Sequence, residues 1–161
     1  VVDTEKVLKD SIVGQHVARQ LEAIYSSAQS EMKAKASPLE SKGKSLQAQL
    51  QTKTSMEALK ADTALQSQMQ AFQKDQQNFK MEEYYTANEL KVTEGKAIQQ
   101  VSKRVKTIIE QIARERSADV VLEKQLVIYG APADVTDVVI QRLNSQMTTV
   151  PVTRERLPRK G

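Results

Sequence analysis

The side chains able to do chemistry are few and poorly placed for it. His16 is the only histidine in 161 residues, and cysteine is absent. Missing cysteine excludes disulfide frameworks, Cys metal sites and thiol nucleophiles. His16, between Gln15 and Val17, has no carboxylate at ligand spacing and reads as a solvated helix residue. A Ser-His-Asp arrangement would need His16 as its base, and no serine lies in a glycine-rich nucleophile turn. With only five glycines there is no phosphate-cradling loop, so any work the chain does is independent of ATP. Glu82-Glu83 is a paired acid, but adjacent residues on a helix do not face one another, so it reads as surface charge. The sequence therefore offers no catalytic, cofactor-binding or metal-ligating residues, and it does not read as an enzyme.

The basic residues carry more information. The net charge is +4, from 24 basic and 20 acidic side chains. Between residues 31 and 53, Lys33, Lys35, Lys42, Lys44 and Lys53 outnumber Glu31 and Glu40. Lys35, Lys42 and Lys53, spaced by 7 and 11, fall on one line of a helix beside Leu39, Leu46 and Leu50. One interpretation is a solvated seam edge whose aliphatic stems cover apolar surface. The other is a mixed cationic and apolar wall for a flexible polypeptide or an anionic lipid. Nucleic acid is not expected, because no aromatic residue interleaves the lysines. Met32, Met56, Met69 and Met81 suit seam packing, and Met56 also suits promiscuous apolar contact. The candidate contact residues are Lys35, Lys42, Leu46, Leu50, Lys53 and Met56.

Those positions need long helices to hold them. Between Pro38 and Pro132 there is no proline, and Gln, Lys, Glu, Ala and Leu dominate. Leu21, Tyr25, Ala28, Met32 and Ala36 continue through Leu39, Gly43, Leu46 and Leu50 in steps of about 3.6 residues. A second stripe runs from Leu65 through Phe72 and Phe79 to Val101, Val105, Ile108 and Ile112. Such narrow stripes suit helix-on-helix contact. Residues 52–55 interrupt them, with Thr54 three before Glu57 as a capping box, so a hairpin tip is expected there. Ser37-Pro38-Leu39-Glu40 is a second box, but the stripe passes through in phase, and a kink is favoured over a break.

If the first helix starts at Ser11 and the return helix ends near Ser117, the return arm is longer by roughly 30 Å. Its surplus end is rich in Ile and Val and needs another partner. Residues 118–123 and 126–129 are β-branched runs read as strands, joined tightly at Lys124-Gln125. Val1-Val2 is the stub of a further strand, and Asp134 or Thr136 caps a short helix from Asp137 to Asn144. The expected fold is mainly α: a long antiparallel helical hairpin, or coiled-coil arm, on a small α+β head. Residues 1–20 and 97–147 form the head and 21–96 the arm. Residues 148–161, with Arg154, Arg156, Arg159 and Lys160, form a basic disordered tail. No apolar run approaches the roughly 18–20 residues of a membrane span. The start at Val1 without Met reads as a mature product whose export signal has been removed.

Val2-Asp3, Val7-Leu8, Ser11-x-x-Gly14 and Gln20-Leu21-Glu22 at one end meet a second set at the other. That set is Ile112-Ala113-Arg114-Glu115, Ala118 to Leu122, Val127 to Pro132, Asp134 to Asp137, Val139-Ile140 and Leu143-Asn144. With this layout the chain resembles the Skp/OmpH family of periplasmic chaperones for outer-membrane proteins. The resemblance spans residues 1–147, and its specificity lies in the last 35 of them. It implies a homotrimer joined by head β-strands, with Val2, Val120, Val121, Leu122, Val127, Ile128 and Tyr129 at the interface. It also implies a holdase whose three arms enclose unfolded outer-membrane proteins in the periplasm of a Gram-negative bacterium. Anionic membrane lipid or lipopolysaccharide is a further candidate partner. The alternatives are a coiled-coil stalk or scaffold and a prefoldin-like cytosolic chaperone.

Overall fold

The computed structural model describes residues 1–159. Its helices are α1 (Thr4–Asp10), α2 (Ile12–Gln51), α3 (Met56–Ala61), α4 (Thr63–Glu115) and α5 (Thr136–Gln146). The chain divides into two compact units. Unit 1 comprises Val1–Ile24 and Leu90–Glu155, and unit 2 comprises Tyr25–Glu89 with the described residues from Arg156 on.

Unit 1 is built on β-branched and Leu side chains at helical spacing. Val7 of α1, Val13, Val17 and Leu21 of α2, and Val101, Val105, Ile108 and Ile112 of α4 close on Val139 and Leu143 of α5. Burial of this apolar surface, at about 25 cal/mol per Å², is what orders both chain ends together. Ser11 separates α1 from α2, and its Oγ accepts the Gly14 N–H at 3.1 Å as an N-cap. Gly14 is required here: a Cβ would lie 1.6 Å from the Leu8 carbonyl oxygen. α4 stops where Ser117 turns left-handed at φ 53°, letting the Ala118 N–H reach the Ala113 carbonyl at 2.8 Å. Asp134 accepts from both the N–H and O–H of Thr136, which hold its carboxyl well below the usual carboxylate range.

The two strands expected after α4 do not form in the single chain. Among the described residues the β-structure is one isolated parallel bridge, Val2 to Glu123. There the Val2 N–H donates to Leu122 (3.0 Å) and the Lys124 N–H to Val2 (2.8 Å). Lys124–Leu126 is a 3-10 turn instead of a hairpin loop. The physical reason is lack of cover: Val120, Leu122, Leu126, Ile128 and Tyr129 are all exposed, so no apolar face rewards pairing.

In unit 2, α2 runs on through Pro38 without a break to Gln51. The chain turns at 52–55, where the Lys53 N–H donates to Leu50 at 3.1 Å. The return is not one helix. Ser55, not Thr54, caps α3 through Ala58 N–H, and Asp62 then caps α4 by accepting the Leu65 N–H at 2.9 Å. Asp is a preferred N-cap, so Asp62 starts a new helix where composition alone would have continued the old one.

The expected disordered tail is ordered over its described part. Val150 is buried in unit 1, His16 Nε2 lies 3.2 Å from its carbonyl oxygen, and Gln100 donates to the Pro151 carbonyl at 3.1 Å. His16 is therefore a half-buried anchor for the tail, not a solvated residue. Lys160 lies outside the described residues.

Candidate functional site

Unit 2 holds the lysine line, and each lysine has a carboxylate partner across the hairpin. Lys35 meets Glu82 at 3.2 Å, Lys42 meets Asp75 at 3.2 Å, and Lys53 meets Asp62 at 3.0 Å. The backbone N–H of Leu65 and then Lys53 hold the Asp62 carboxyl below its ordinary pKa. These pairings match a seam edge in which lysine stems flank the helix contact. Of the apolar residues singled out with them, Leu46 is buried in the seam and Leu50 half-buried, while Met56 is 67% exposed at the tip.

Beside this line lies a feature that the spacing did not reveal. An open groove of about 710 Å³ runs between α2 and α4, floored by Ala36, Leu39, Gly43, Phe72 and Phe79. Glu40, Lys44, Lys80 and Glu83 rim it with both signs of charge. Gly43 makes room for aromatic packing, since a Cβ there would sit 3.1 Å from Phe72 Cζ. Chemically such a groove accepts apolar side chains, and its mixed rim tolerates varied neighbours. The only sequence signal was that Phe72 and Phe79 share a stripe facing Gly43, the smallest residue on the other.

A second missed cluster is acidic. Glu89 is fully buried, yet it accepts the Leu157 N–H at 2.8 Å and both Nη atoms of Arg159 at 3.0 and 3.2 Å. Arg159 also donates to Glu82 through Nε at 3.0 Å and lies 4.7 Å from the Tyr85 ring centre. Burial opposes ionisation of Glu89, but the Arg159 and Leu157 hydrogen bonds outweigh it and lower its pKa. Arg159, then Lys35, lower that of Glu82, and the two carboxylates raise that of Arg159. The signal in the sequence was complementary spacing: Glu82 and Glu89 lie two turns apart, and Arg156 and Arg159 lie near the end of the chain.

In unit 1 the residues expected at an interface divide. Val2 is 3% exposed and belongs to the core, so it is not available as a surface. Val121 packs partly against the core, and Val127 is half-buried. Val120, Leu122, Ile128 and Tyr129 stand in solvent, the last two almost completely. Among the described residues no three His, Cys, Asp or Glu side chains are grouped to hold a metal ion. No helix among them is long and apolar enough to cross a membrane.

The model of the family described as outer membrane protein (OmpH-like) matches residues 1–143. A solved structure of an OmpH-like protein from Caulobacter crescentus CB15, assigned as an outer membrane chaperone, has a TM-score of 0.80. It shares 25% identity, with 97% of this chain and 89% of that chain covered. No curated protein matches. The match of the family model from Val1 through most of the chain, in line with the resemblance, shows that the chain belongs to the OmpH-like family.

Proposed function

We propose that this protein is an ATP-independent holdase that keeps unfolded outer-membrane β-barrel proteins from aggregating in the periplasm. The observation that carries this is the open apolar groove on Phe72 and Phe79, rimmed by charges of both signs, in a protein of this family. A groove of this kind binds many sequences weakly, which suits holding an unfolded chain and not a defined ligand. Met56 at the tip and the accessible flanks of Lys35 and Lys42 extend the contact surface. Leu46, Leu50 and Lys53 support it from the seam.

The head contributes assembly. Val120, Leu122, Ile128 and Tyr129 form an exposed apolar run, a liability unless other copies cover it. Three copies joined there would give three arms, and linked weak sites raise avidity without any tight pocket. Anionic lipid or lipopolysaccharide is a second partner that the basic chain could meet at the membrane surface. Nothing in the arm suits an enzyme or a nucleic-acid platform. A stalk scaffold or a prefoldin-like assembly would give a dimer, a hexamer or a mixed complex.

The test joins two measurements: mass in solution, and suppression of aggregation of a denatured outer-membrane β-barrel protein without nucleotide. A trimer that suppresses aggregation supports the reading. A stable monomer, or a trimer with no effect on aggregation, overturns it. Phe72→Ser with Phe79→Ser should weaken suppression while leaving the mass unchanged.

A further inference from the structure

The acidic cluster of unit 2 is built like a binding site whose occupant happens to be covalently attached. A carboxylate with no exposed surface is costly to bury unless paired and hydrogen-bonded. From the tail Glu89 receives the Leu157 N–H, the Arg159 fork, and Arg156 at 4.0 Å. The recognition is of two kinds. The Leu157 contact uses backbone alone, so it reads an extended chain and not a side chain. The Arg159 contacts read a guanidinium: two carboxylates grip its fork, and its Cζ lies over the Tyr85 ring. Forked contacts to two carboxylates, with an aromatic face beneath the cation, together favour arginine over lysine. The Pro158 side chain is exposed, so that position is free to vary, while Leu157 is half-buried.

We propose that Glu82, Tyr85 and Glu89 form a guanidinium socket for extended, arginine-bearing chain segments, filled at rest by the protein's own Arg159 and opened to unfolded segments when that arginine leaves. The proposal rests on the holding of unfolded chains only for the source of the competing segment. The socket itself stands on the geometry. Tethering gives the resident arginine an effective concentration of millimolar order, so free segments compete only when they are many or locally concentrated. An unfolded chain held against the same arm supplies that local concentration. The tail is then a pseudo-ligand that keeps Glu89 neutralised in the empty protein and yields to a bound chain.

The test uses the full-length chain and a fluorescein-labelled peptide with the sequence of residues 153–159. Binding is read by anisotropy for the parent, for R156A/R159A and for R159K. The parent should bind the peptide negligibly below ~100 µM, because the tethered tail occupies the socket. R156A/R159A should bind it at least ~10-fold more tightly than the parent does, and adding E82Q should lower that affinity. Should the double alanine variant lose its helicity by circular dichroism, R159K decides, since lysine keeps a charge near Glu89 but lacks the fork. It should bind the peptide more tightly than the parent does. A peptide carrying lysine at the place of Arg159 should bind ~10-fold more weakly. Equal peptide binding by parent and variants, or equal binding of the arginine and lysine peptides, overturns the socket. Aggregation suppression by the same proteins is read separately. Peptide binding without suppression would sink the holdase reading and leave the socket, and suppression without peptide binding would sink the socket alone.

Discussion

In unit 1, valines, isoleucines and leucines from four helices close into one cluster, and Val7, Val13, Ile108, Val139 and Leu143 have no exposed surface. In unit 2, Ala28, Leu46 and Leu65 are the buried apolar residues among those described, and cross-helix ion pairs line the hairpin instead. A branched apolar cluster resists change because each side chain has many neighbours at close range. A two-helix seam buries one stripe and leaves its groove open, so it opens locally at lower cost. The difference suits a division of labour in which one unit keeps its shape and the other deforms around what it meets.

Two glycines put that comparison to its hardest test. Gly14→Ala drives a Cβ to 1.6 Å from a backbone oxygen, which no side-chain movement can relieve. It should destabilise unit 1 by more than about 3 kcal/mol, the range reached when packed backbone must move. Gly43→Ala meets only the tip of the Phe72 ring at 3.1 Å, and it gains up to about 1 kcal/mol of helix propensity. That change should be within about 1 kcal/mol of neutral and should narrow the groove. Urea unfolding of both variants measures this, and equal losses would erase the distinction between a rigid and a yielding unit.

The long helices were legible in the sequence, because helical period is a local signal. Val101, Val105, Ile108 and Ile112 declared a buried face by spacing alone, and the gap in the stripe at 52–55 marked the turn. What escaped depends on partners far away in the chain. The run from Val120 to Tyr129 has strand-forming residues, but strand preference is a preference for a covered, pleated surface, which one chain does not supply there. Arg159 sits in a polar, proline-bearing tail that composition marks as disordered, yet its Glu82 partner is 77 residues away. The groove on Phe72 and Phe79 escaped because a stripe shows which residues face inward and not how closely two stripes meet.

If copies assemble through the exposed run, as proposed, assembly and folding separate within unit 1. Ile128 is 102% exposed, so Ile128→Asp removes no packing from the single chain. The fold of unit 1 should be retained, with thermal unfolding of the separated chain within about 0.5 kcal/mol of the parent. The mass by light scattering should nevertheless fall toward that of one chain, since an aspartate would be buried unpaired between copies. An unchanged assembly would place the contact between copies elsewhere.

Acid should act on unit 2 through its tail. The pKa values of Glu82 and Glu89 are lowered from the ordinary 4.5 by Arg159, against burial. Their stabilising effect is therefore complete above that ordinary value and lost as the pH falls through their lowered values. Between pH 8 and 6 the protection of the Leu157 amide against hydrogen exchange should be flat, and below pH 4.5 it should decline. The amides of Val105 and Ile108 in the unit 1 core should keep their protection over the same decline. Simultaneous loss at all three would show the two units opening as one.

The smallest effect belongs to the lysine line. Lys35, Lys42 and Lys53 are each paired, but their side chains are 52%, 41% and 27% exposed, so water screens every pair. Exposed pairs contribute about 0.2–1 kcal/mol each, and reversal of all three to Glu places like charges together, so the loss should be about 1–3 kcal/mol in total. Helix propensity hardly changes, because Lys and Glu rank together. If the line is only a seam edge, the arm loosens and capture of an unfolded client changes little with salt. If the lysines also steer clients, reversal slows capture at low salt, and mutant and parent converge where screening acts within about 3 Å at 1 M. The cross-hairpin pairing favours the first outcome, because each lysine's field is already partly neutralised by its partner. Stopped-flow capture at two salt concentrations separates them: equal low-salt rates leave the lysines as seam supports, and a large rate loss that salt abolishes would make the arm an electrostatic antenna as well as a grip.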